Sequence, residues 1–289
     1  MLWVITHAVP TLKELLKPHI PRELWDRIPR SFDIVGSRSG AVAIVEIPEE
    51  LEQYKYLIGS YILRINKHVK AVLRRVGPRE GEFRLYRYEF LVPGPTEVIH
   101  REDNYLIKVD PTKAYFSPRD QGDREDIAGK VGPNEVILYP FAGVGPYAMA
   151  IVRKQPSVRL IIAIELNEYA YHYMLENIKL NRAEGKVLPL HGDAARLMPL
   201  FRGVDRVLLT LPLGAHKFLE QAILAVRDGG TVHFYHVGPE EDPFGSAESL
   251  VKMHCEGLGF DCRVIGRRIV RDYAPHVYKV RLDFEVHGK

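Results

Sequence analysis

The stretch EVILYPFAGVGP, residues 135–146, decides the fold class of this chain. Residues 135–139 form a short apolar run that is typical of a buried strand, and the glycine-rich turn 141–146 follows it directly. Glycines at such a place let the backbone turn tightly and approach a ligand with no Cβ in the way. The pattern predicts a strand, a ligand-binding turn and a helix, in that order.

The chain after this stretch continues to alternate strands with helices. Strands are predicted at 160–165, 186–190, 206–210 and 231–235, and helices at 168–180 and 216–226, with a turn at 228–230. Strands that alternate with helices predict parallel βαβ units in a doubly wound sheet. We therefore expect an α/β domain over residues 111–289.

The first part of the chain has a different pattern. Helical spacing of leucines after residue 12 precedes strand-like runs at 32–35 and 41–45, and Pro48 opens a further helix. Strand-like pieces follow at 71–73, 98–100 and 105–109. A smaller α+β domain over residues 1–110 is the prediction, since a domain takes about 100–200 residues.

Composition and charge restrict the function classes. The net charge of +3 is too small to indicate a nucleic-acid partner by itself. Basic residues gather at 64–87 and 263–271, where they could neutralise phosphates or could be balanced by acids on a solvated face. The longest uncharged stretch, 136–152, holds prolines and glycines and is short for a bilayer. Because no signal peptide is visible, we expect a soluble, cytoplasmic protein.

The two cysteines give no sign of a metal site. Cys255 and Cys262 lack both the CxxC spacing and the histidine pair of a zinc motif. Two cysteines also give no disulfide framework, and reduced thiols are the ordinary state in a cytosolic protein. The sequence predicts free thiols and no metal.

Acidic residues at two predicted strand ends indicate a nucleoside ligand. Glu165 ends the strand after the glycine-rich turn, about 20 residues beyond Gly143, where an acid can accept hydrogen bonds from ribose hydroxyls. Asp193, after the next strand, is placed to accept from an adenine amino group. Ala148 stands at the third glycine position of the dinucleotide-binding fingerprint, which sometimes accepts alanine, so a dinucleotide ligand is not excluded by this position. The Lys-Ser/Thr pair of a phosphate-binding loop is not present. A ligand without pyrophosphate fits best, and S-adenosylmethionine is the predicted cofactor.

Several motifs in fixed order carry a family resemblance. They are GEFR at 81–84, YFSPR at 115–119, FAGVGP at 141–146, ENIKLN at 176–181, HKF at 216–218 and YAP at 273–275. With them the chain resembles the archaeal and eukaryotic tRNA (guanine-37 N1)-methyltransferases over nearly its whole length. The resemblance implies a class I, Rossmann-like S-adenosylmethionine-dependent methyltransferase fold, tRNA as partner and a monomeric enzyme. A paralogue of the same architecture, the wybutosine-synthesis enzyme, transfers the 3-amino-3-carboxypropyl group of the same cofactor.

The resemblance also implies roles for single residues. Asp123 would be the general base, Arg84 would stabilise charge on guanine O6, and Thr210 with Pro212 would hold the target base. The residues implied in cofactor binding are Tyr115, Arg119, Arg124, Phe141, Gly143, Gly145, Glu165, Asn167 and Asp193.

Three positions depart from the family pattern. Asp123 replaces a glutamate, Thr210 replaces an asparagine, and Tyr139 replaces an acid before the glycine-rich turn. Thr210, together with the lack of a counterpart to the family's small N-terminal domain, favours aminocarboxypropyl transfer. The GEFR motif, Arg119 and the Gly145-Pro146 pair favour methylation, which we expect. A tRNA-binding relative without catalysis is the alternative from another class.

Overall fold

The computed structural model describes residues 10–80 and 85–288, with the side chains of 78–80 left out. It divides into two compact units. One consists of Met1–Arg101 and Val109–Lys113, and the other of Glu102–Lys108 and Ala114–Lys289.

The first unit is a four-stranded sheet with helices. Its elements are α1 (Leu12–Leu16), β1 (Asp33–Ser37), β2 (Gly40–Val45), α2 (Lys55–Ile65), β3 (Val69–Glu80) and β4 (Leu85–Val92). The strands lie in sequence order, and only β2 and β3 are parallel, because α2 forms the crossover between them. The helix predicted from Pro48 begins as a 3-10 helix, Glu49–Tyr54, before α2. A two-stranded sheet of β5 (Val98–Glu102) and β6 (Tyr105–Val109) follows in the chain.

The second unit contains the remaining elements. They are α3 (Gln121–Lys130), β7 (Val136–Pro140), α4 (Pro146–Lys154), β8 (Leu160–Glu165), α5 (Glu168–Leu180), β9 (Val187–His191), α6 (Ala194–Leu197), β10 (Val204–Leu209), α7 (Leu219–Ala225), β11 (Val226–Pro239), α8 (Gly245–Leu258), β12 (Asp261–Ala274) and β13 (Val277–His287).

These strands form one seven-stranded sheet in the order β12-β13-β11-β10-β7-β8-β9. The five strands from β11 to β9 are parallel, whereas β13 is antiparallel to both of its neighbours. Apolar runs on the central strands are buried on both faces, as parallel strands covered by helices require. The predicted doubly wound α/β fold is confirmed.

The end of the sheet differs from the sequence-based expectation. The helix predicted at 216–226 is a 3-10 helix, Ala215–Phe218, followed by α7. The turn predicted at 228–230 lies inside β11, where the pairing with β10 shifts register and Gly229 has φ +67°. The hairpin of β12 and β13 was not predicted, because β12 is an edge strand whose residues are exposed or half-buried along its whole length.

The prediction of free thiols was wrong. Cys255 in α8 and Cys262 in β12 are joined by a disulfide, with their Cα atoms 6.0 Å apart. Gly259 ends α8 in the left-handed conformation and turns the chain back, so the two cysteines meet although they lack a recognised spacing. The spacing of the two cysteines in the sequence does not show that the chain turns back between them.

Removing this disulfide is expected to lower the free energy of unfolding by about 2–3 kcal/mol, the chain-entropy value for so short a loop. Denaturant unfolding of the double variant Cys255→Ala/Cys262→Ala under oxidising conditions measures it. The same comparison in a strong reductant is the control, because the difference between variant and wild type should then nearly vanish. Equal stabilities under oxidising conditions would contradict the bond's contribution.

No helix among residues 10–80 and 85–288 is long and apolar enough to cross a membrane. Within the same residues, no three His, Cys, Asp or Glu side chains come together in a way that could hold a metal ion.

Candidate functional site

The glycine-rich turn lies where the order of the parallel strands reverses. From β7 the chain continues to β8 and β9 on one side of the sheet, and then to β10 and β11 on the other. Ligands of such sheets bind outside the carboxyl ends of the strands at this switch point. The turn after β7 therefore stands at the expected ligand-binding position.

The backbone of the turn adopts a conformation that favours glycine. Gly143 and Gly145 have φ of +57° and +82°, which glycine adopts without steric cost. Phe141 has φ 60°, a conformation that is costly for other residues and that concentrates at functional sites. The N–H of Ala142 donates to the carbonyl of Ile164 at 2.9 Å. This bond fixes the turn to the adjacent strand β8.

Glu165 contacts the turn directly. Its Oε2 accepts from the N–H of Gly143 at 2.6 Å, and its Oε1 accepts from the N–H of Asn167 at 2.7 Å. Burial raises the pKa of the Glu165 carboxyl group, against the opposing effect of these backbone donors. The Glu165 side chain thus lies against the glycine-rich turn, and its contact with a cofactor stays a prediction.

Asp193 and Asn167 lie at the same edge of the sheet. Asp193 caps α6, accepting from the N–H of Ala195 at 2.8 Å. Asn167 caps α5, accepting from the N–H of Tyr169 at 3.0 Å. Helix capping by itself would explain both residues. It uses one carboxylate oxygen of Asp193, and the second oxygen stays available for a ligand.

The YFSPR segment passes beside the turn. A Cβ on Gly143 would lie 3.8 Å from the carbonyl oxygen of Tyr115, whose own side chain is exposed. Phe116 is buried, and Arg119 is exposed on the 3-10 helix Pro118–Asp120. The segment therefore borders the predicted cofactor crevice.

Arg124 is enclosed by protein. Only 2% of it is exposed, and its guanidinium donates to both oxygens of Glu102 and to the carbonyl of Ser117 at 3.0 Å. It also lies over the ring of Phe116, with 5.2 Å between the guanidinium carbon and the ring centre. The arrangement supports the backbone of the YFSPR segment, while the predicted contact of Arg124 with cofactor stays a prediction.

Asp123 is buried in α3 rather than exposed as a surface pair. Its Oδ2 accepts from the hydroxyl of Tyr147 at 2.7 Å and from the hydroxyl of Tyr235. Its Oδ1 accepts from the guanidinium of Arg281. Tyr147 is the second residue of α4, so this network ties Asp123 to the helix that begins at the glycine-rich turn.

Asp120 was missed by sequence reasoning. It accepts from Arg271 at 2.7 Å and from Lys279 at 2.9 Å, and Arg271 also reaches the Tyr115 hydroxyl at 3.4 Å. Burial opposes ionisation, but Lys279 and Arg271 outweigh it and lower the pKa of Asp120 to about 2. No local pattern could have revealed partners that lie so far along the chain.

Thr210 follows β10 beside the turn. Its hydroxyl is 3.5 Å from the carbonyl oxygen of Phe141, and Pro212 is half-buried two residues later. Tyr139, at the family's acidic position, is buried and donates to the carbonyl of Ala142 at 3.1 Å. The sheet thus brings Thr210 close to the cofactor turn. Arg84 lies outside the described residues, so its role stays a prediction.

Acids balance several basic residues in each of the two basic clusters. Arg75 pairs with Asp33 at 2.6 Å and with Glu46 at 2.7 Å. On β12 the ion pairs are Arg267 with Glu248, Arg268 with Asp126, and Arg271 with Asp120. These pairs favour the reading of a charge-balanced surface. Exposed cations such as Lys67 and Lys70 remain available to a phosphate backbone.

The comparisons with known proteins decide the family. Residues 98–265, more than half of the chain, match the TRM5/TYW2 methyltransferase domain. The chain belongs to this family. Residues 12–96 match the TYW2 N-terminal domain. The family resemblance and the class I methyltransferase fold are therefore confirmed, whereas the roles of single residues stay predictions.

Relatives on both branches of the family are similar to this chain. A tRNA (guanine(37)-N(1))-methyltransferase, Trm5b, from Pyrococcus abyssi is 39% identical over 93% of this chain and 78% of its own. A tRNA(Phe) (4-demethylwyosine(37)-C(7)) aminocarboxypropyltransferase from Pyrococcus horikoshii is 30% identical over 96% of both chains. A solved complex of aTrm5 and tRNALeu is 35% identical, with TM-score 0.82 over 96% of this chain and 78% of its own.

The ENIKLN motif of this TRM5/TYW2 member has a structural task. Asn177 is fully buried, and its amide donates to the carbonyls of Lys108 at 3.0 Å and Val144 at 2.9 Å. Its Oδ1 accepts from the N–H of Lys108 at 2.6 Å. Asn181 pairs with both backbone groups of Leu106 in the same way. The two asparagines replace a neighbouring strand, and Asn177 also fixes the glycine-rich turn.

Asn177→Leu is expected to lower the free energy of unfolding by about 3–5 kcal/mol, because it removes three hydrogen bonds to the backbone of Lys108 and Val144, and an unsatisfied buried group costs about 1–3 kcal/mol. Thermal and denaturant unfolding measure this loss. Glu176→Gln, at the exposed position beside it, is the matched control and should change stability by less than about 0.5 kcal/mol. A loss no larger than that of the control would show that water replaces the asparagine.

Proposed function

We propose that this chain is an S-adenosylmethionine-dependent tRNA methyltransferase that methylates guanosine 37 at N1. The observation that carries the proposal is the hydrogen bond from Tyr147 to Asp123. It holds a buried carboxylate beside the helix that starts at the glycine-rich turn, and this carboxylate is the proposed proton acceptor. Membership of the TRM5/TYW2 family and the name of the Pyrococcus abyssi relative support the same reaction.

The donor set around Glu165 fits the cofactor. A carboxylate offers about four acceptor positions. The N–H groups of Gly143 and Asn167 each use one position, on opposite oxygens, and the remaining capacity would serve ribose hydroxyls. Asp193 keeps one oxygen available for an adenine amino group. When bound, S-adenosylmethionine supplies a methyl group that its sulfonium already activates, so the chemistry requires no metal.

The residues of this chain would prepare the nucleophile. Guanine N1 carries a proton at neutral pH and attacks poorly until that proton leaves. Asp123 would take it, a step that contributes typically about 10²–10⁴-fold. Arg84 would stabilise the charge that develops on O6, and Thr210 with Pro212 would hold the base in line with the methyl group.

The test is transfer from cofactor labelled separately in its methyl and carboxyl groups to an unmodified tRNA transcript with guanosine at position 37. We expect only the methyl label in the tRNA, in 1-methylguanosine after nuclease digestion. A transcript with adenosine 37 is the control and should take up no label. Carboxyl label in the tRNA would replace methylation with aminocarboxypropyl transfer. No label in this transcript would rule out methylation of guanosine 37, and no label in tRNA with the wybutosine precursor as well would favour a non-catalytic tRNA-binding protein.

Aminocarboxypropyl transfer is the second candidate. Thr210 favours it, since a hydroxyl offers a single donor where the asparagine amide of the methyltransferases offers both carbonyl and NH₂ groups. The similarity to the Pyrococcus horikoshii enzyme favours it as well. This reaction needs the wybutosine precursor at position 37, so the labelled-cofactor assay is repeated with tRNA that carries the precursor.

The proposal includes tRNA recognition by the first unit, a monomeric enzyme and a cytoplasmic location. The match of residues 12–96 to the TYW2 N-terminal domain supports the first point. The Cys255–Cys262 disulfide is compatible with a cytoplasmic location in a hyperthermophile, because cytosolic disulfides are rare in other organisms. Light scattering of the free enzyme tests the monomeric state, and cell fractionation tests the cytoplasmic location.

A further inference from the structure

The partners of Asp123 differ in what they can do when a proton arrives. This reasoning rests on the proposed function, in which Asp123 is the base. Oδ1 faces the guanidinium of Arg281, with that of Arg268 at 3.5 Å. A guanidinium only donates, so a proton on Oδ1 would meet a second donor. Oδ2 faces two phenol hydroxyls, which both donate and accept.

Arg281 is fixed where it stands. It is 1% exposed on β13, and besides Asp123 it binds Asp126 and both oxygens of Asp283, at 2.8 and 3.1 Å. Burial would lower the pKa of the Arg281 guanidinium, but Tyr235, Asp123 and Asp283 outweigh it and raise that pKa above its usual value. Arg281 is therefore a permanent cation, held in one orientation by three acids.

The charges around Asp123 come from every element packed against it. The titratable groups are Asp120 at the start of α3, Arg124 and Asp126 on α3, Tyr147 on α4, His233 and Tyr235 on β11, Arg268 on β12, and Lys279, Arg281 and Asp283 on β13. Burial lowers the pKa of His233 in spite of Asp283, so this imidazole adds no charge at neutral pH. Loss of Arg281 would leave Asp123 close to the carboxylates of Asp126 and Asp283, which would keep their ion pairs with Arg268 and Lys130.

We propose that Arg281 is a positioning residue that fixes Oδ1 of Asp123, so that Oδ2 is the oxygen that takes the guanine N1 proton. The N1–H bond breaks, the Oδ2–H bond forms, and the electron pair stays on the guanine ring for attack on the methyl carbon. The new Oδ2–H donates to the oxygen of Tyr147 or Tyr235, whose hydroxyl turns away. The proton later leaves for solvent.

This arrangement explains how an aspartate can stand where the family has glutamate. Aspartate has one methylene fewer than glutamate, so its carboxylate has less reach of its own. Helix α3 holds this side chain against the sheet. Arg281 and the two phenols set the direction of Oδ2 from outside the helix that carries Asp123. The positioning residues therefore come from β13, β11 and α4, and none of them is adjacent to Asp123 in sequence.

The test is the pH dependence of single-turnover methyl transfer by full-length variants, with saturating cofactor and tRNA. For Arg281→Met we expect the acidic limb of the profile to move up by about 1–3 pH units, the effect of losing a close opposite charge. Tyr235→Phe should move it in the same direction by less. Arg281→Lys, which keeps the charge, should restore the limb to near its wild-type position. Tyr105→Phe removes a buried hydroxyl that donates to Glu102 instead, and should not move the limb.

A uniform loss of rate at all pH values in Arg281→Met and Tyr235→Phe, with the limb unmoved, would overturn the proposal and leave Arg281 a purely structural residue. Thermal unfolding of each variant separates misfolding from a shifted limb. If Arg281→Met does not fold, the position of the limb in Tyr235→Phe and Arg281→Lys decides. A fully active Asp123→Asn would instead remove Asp123 from the base role, which is a failure of the proposed function itself.

Discussion

Replacing Asp123 with asparagine is expected to lower the rate of methyl transfer by about 10²–10⁴-fold, the usual contribution of a positioned general base. An asparagine can keep its carbonyl oxygen toward Arg281, while its NH₂ group donates to the phenol oxygens of Tyr147 and Tyr235, which also accept, so the network keeps most of its shape. It cannot take the N1 proton. Cofactor affinity should therefore stay within a few-fold of wild type, because no cofactor contact is proposed for Asp123. Single-turnover rates with tRNA and calorimetry with cofactor measure the two effects.

Asp126→Asn is the matched control for this prediction. Asp126 lies one turn further along α3 and also binds Arg281, but 28% of its side chain is exposed. Its replacement removes the same charge from the same helix without touching the base. We expect less than a tenfold loss of rate. Equal losses in the two variants would mean that the charge of α3 matters rather than the base, and an active Asp123→Asn enzyme would end the assignment.

Replacing Glu165 with glutamine is expected to weaken cofactor binding by about 10–150-fold. Hydrogen bonds to a charged group contribute about 1.5–3 kcal/mol, and about 1.4 kcal/mol corresponds to a factor of ten. Glu165 now accepts hydrogen bonds from the N–H groups of Gly143 and Asn167. The amide NH₂ of a glutamine would face one of these donors and could not accept from it. The glycine-rich turn would lose part of its support. Calorimetric titration with S-adenosylmethionine measures the loss.

Glu176→Gln removes an exposed carboxylate from α5 and serves as the control for charge alone. It should leave the dissociation constant within twofold of wild type. The hypothesis of ribose recognition fails if Glu165→Gln binds the cofactor as tightly as this control does.

Cofactor affinity is also expected to fall as the pH is lowered. Burial raises the pKa of Glu165 above its ordinary value of 4.5 in the free protein. Ribose hydroxyls donate to the ionised carboxylate, so protonation competes with binding. The affinity for the cofactor should be highest above the raised pKa of Glu165. It should decline as the pH falls through that pKa, which lies above 4.5. Titrations across this range test the effect, and in Glu165→Gln the decline should be absent.

The site could be predicted as far as its residues lie next to strand ends. Glu165 and Asp193 follow strands that alternate with helices, and parallel strands bring their carboxyl ends to one edge. The helix predicted at 168–180 has the same bounds in the structure, because Asn167 caps its start and its apolar spacing is regular. In each of these cases a local pattern carries the information.

Contacts between distant segments could not be predicted in this way. The sequence indicated an acid at position 123, but not Arg281, which reaches it from β13 across 158 residues. It indicated the ENIKLN motif, but not that Asn177 would pair with the backbone of β6. Antiparallel addition of β13 to the parallel sheet creates the first contact, and nothing in the local spacing of either segment encodes it.

The sequence by itself determined the doubly wound fold, the glycine-rich turn and the positions of the acids at the strand ends, because hydrophobic period and glycine placement act over short distances. Only the tertiary structure decided that Asp123 is buried between a guanidinium and two phenols, that Cys255 meets Cys262, and that arginines of β12 are neutralised by acids. The physical reason is that ionisation, pairing and burial depend on which distant side chains the sheet brings within a few ångströms.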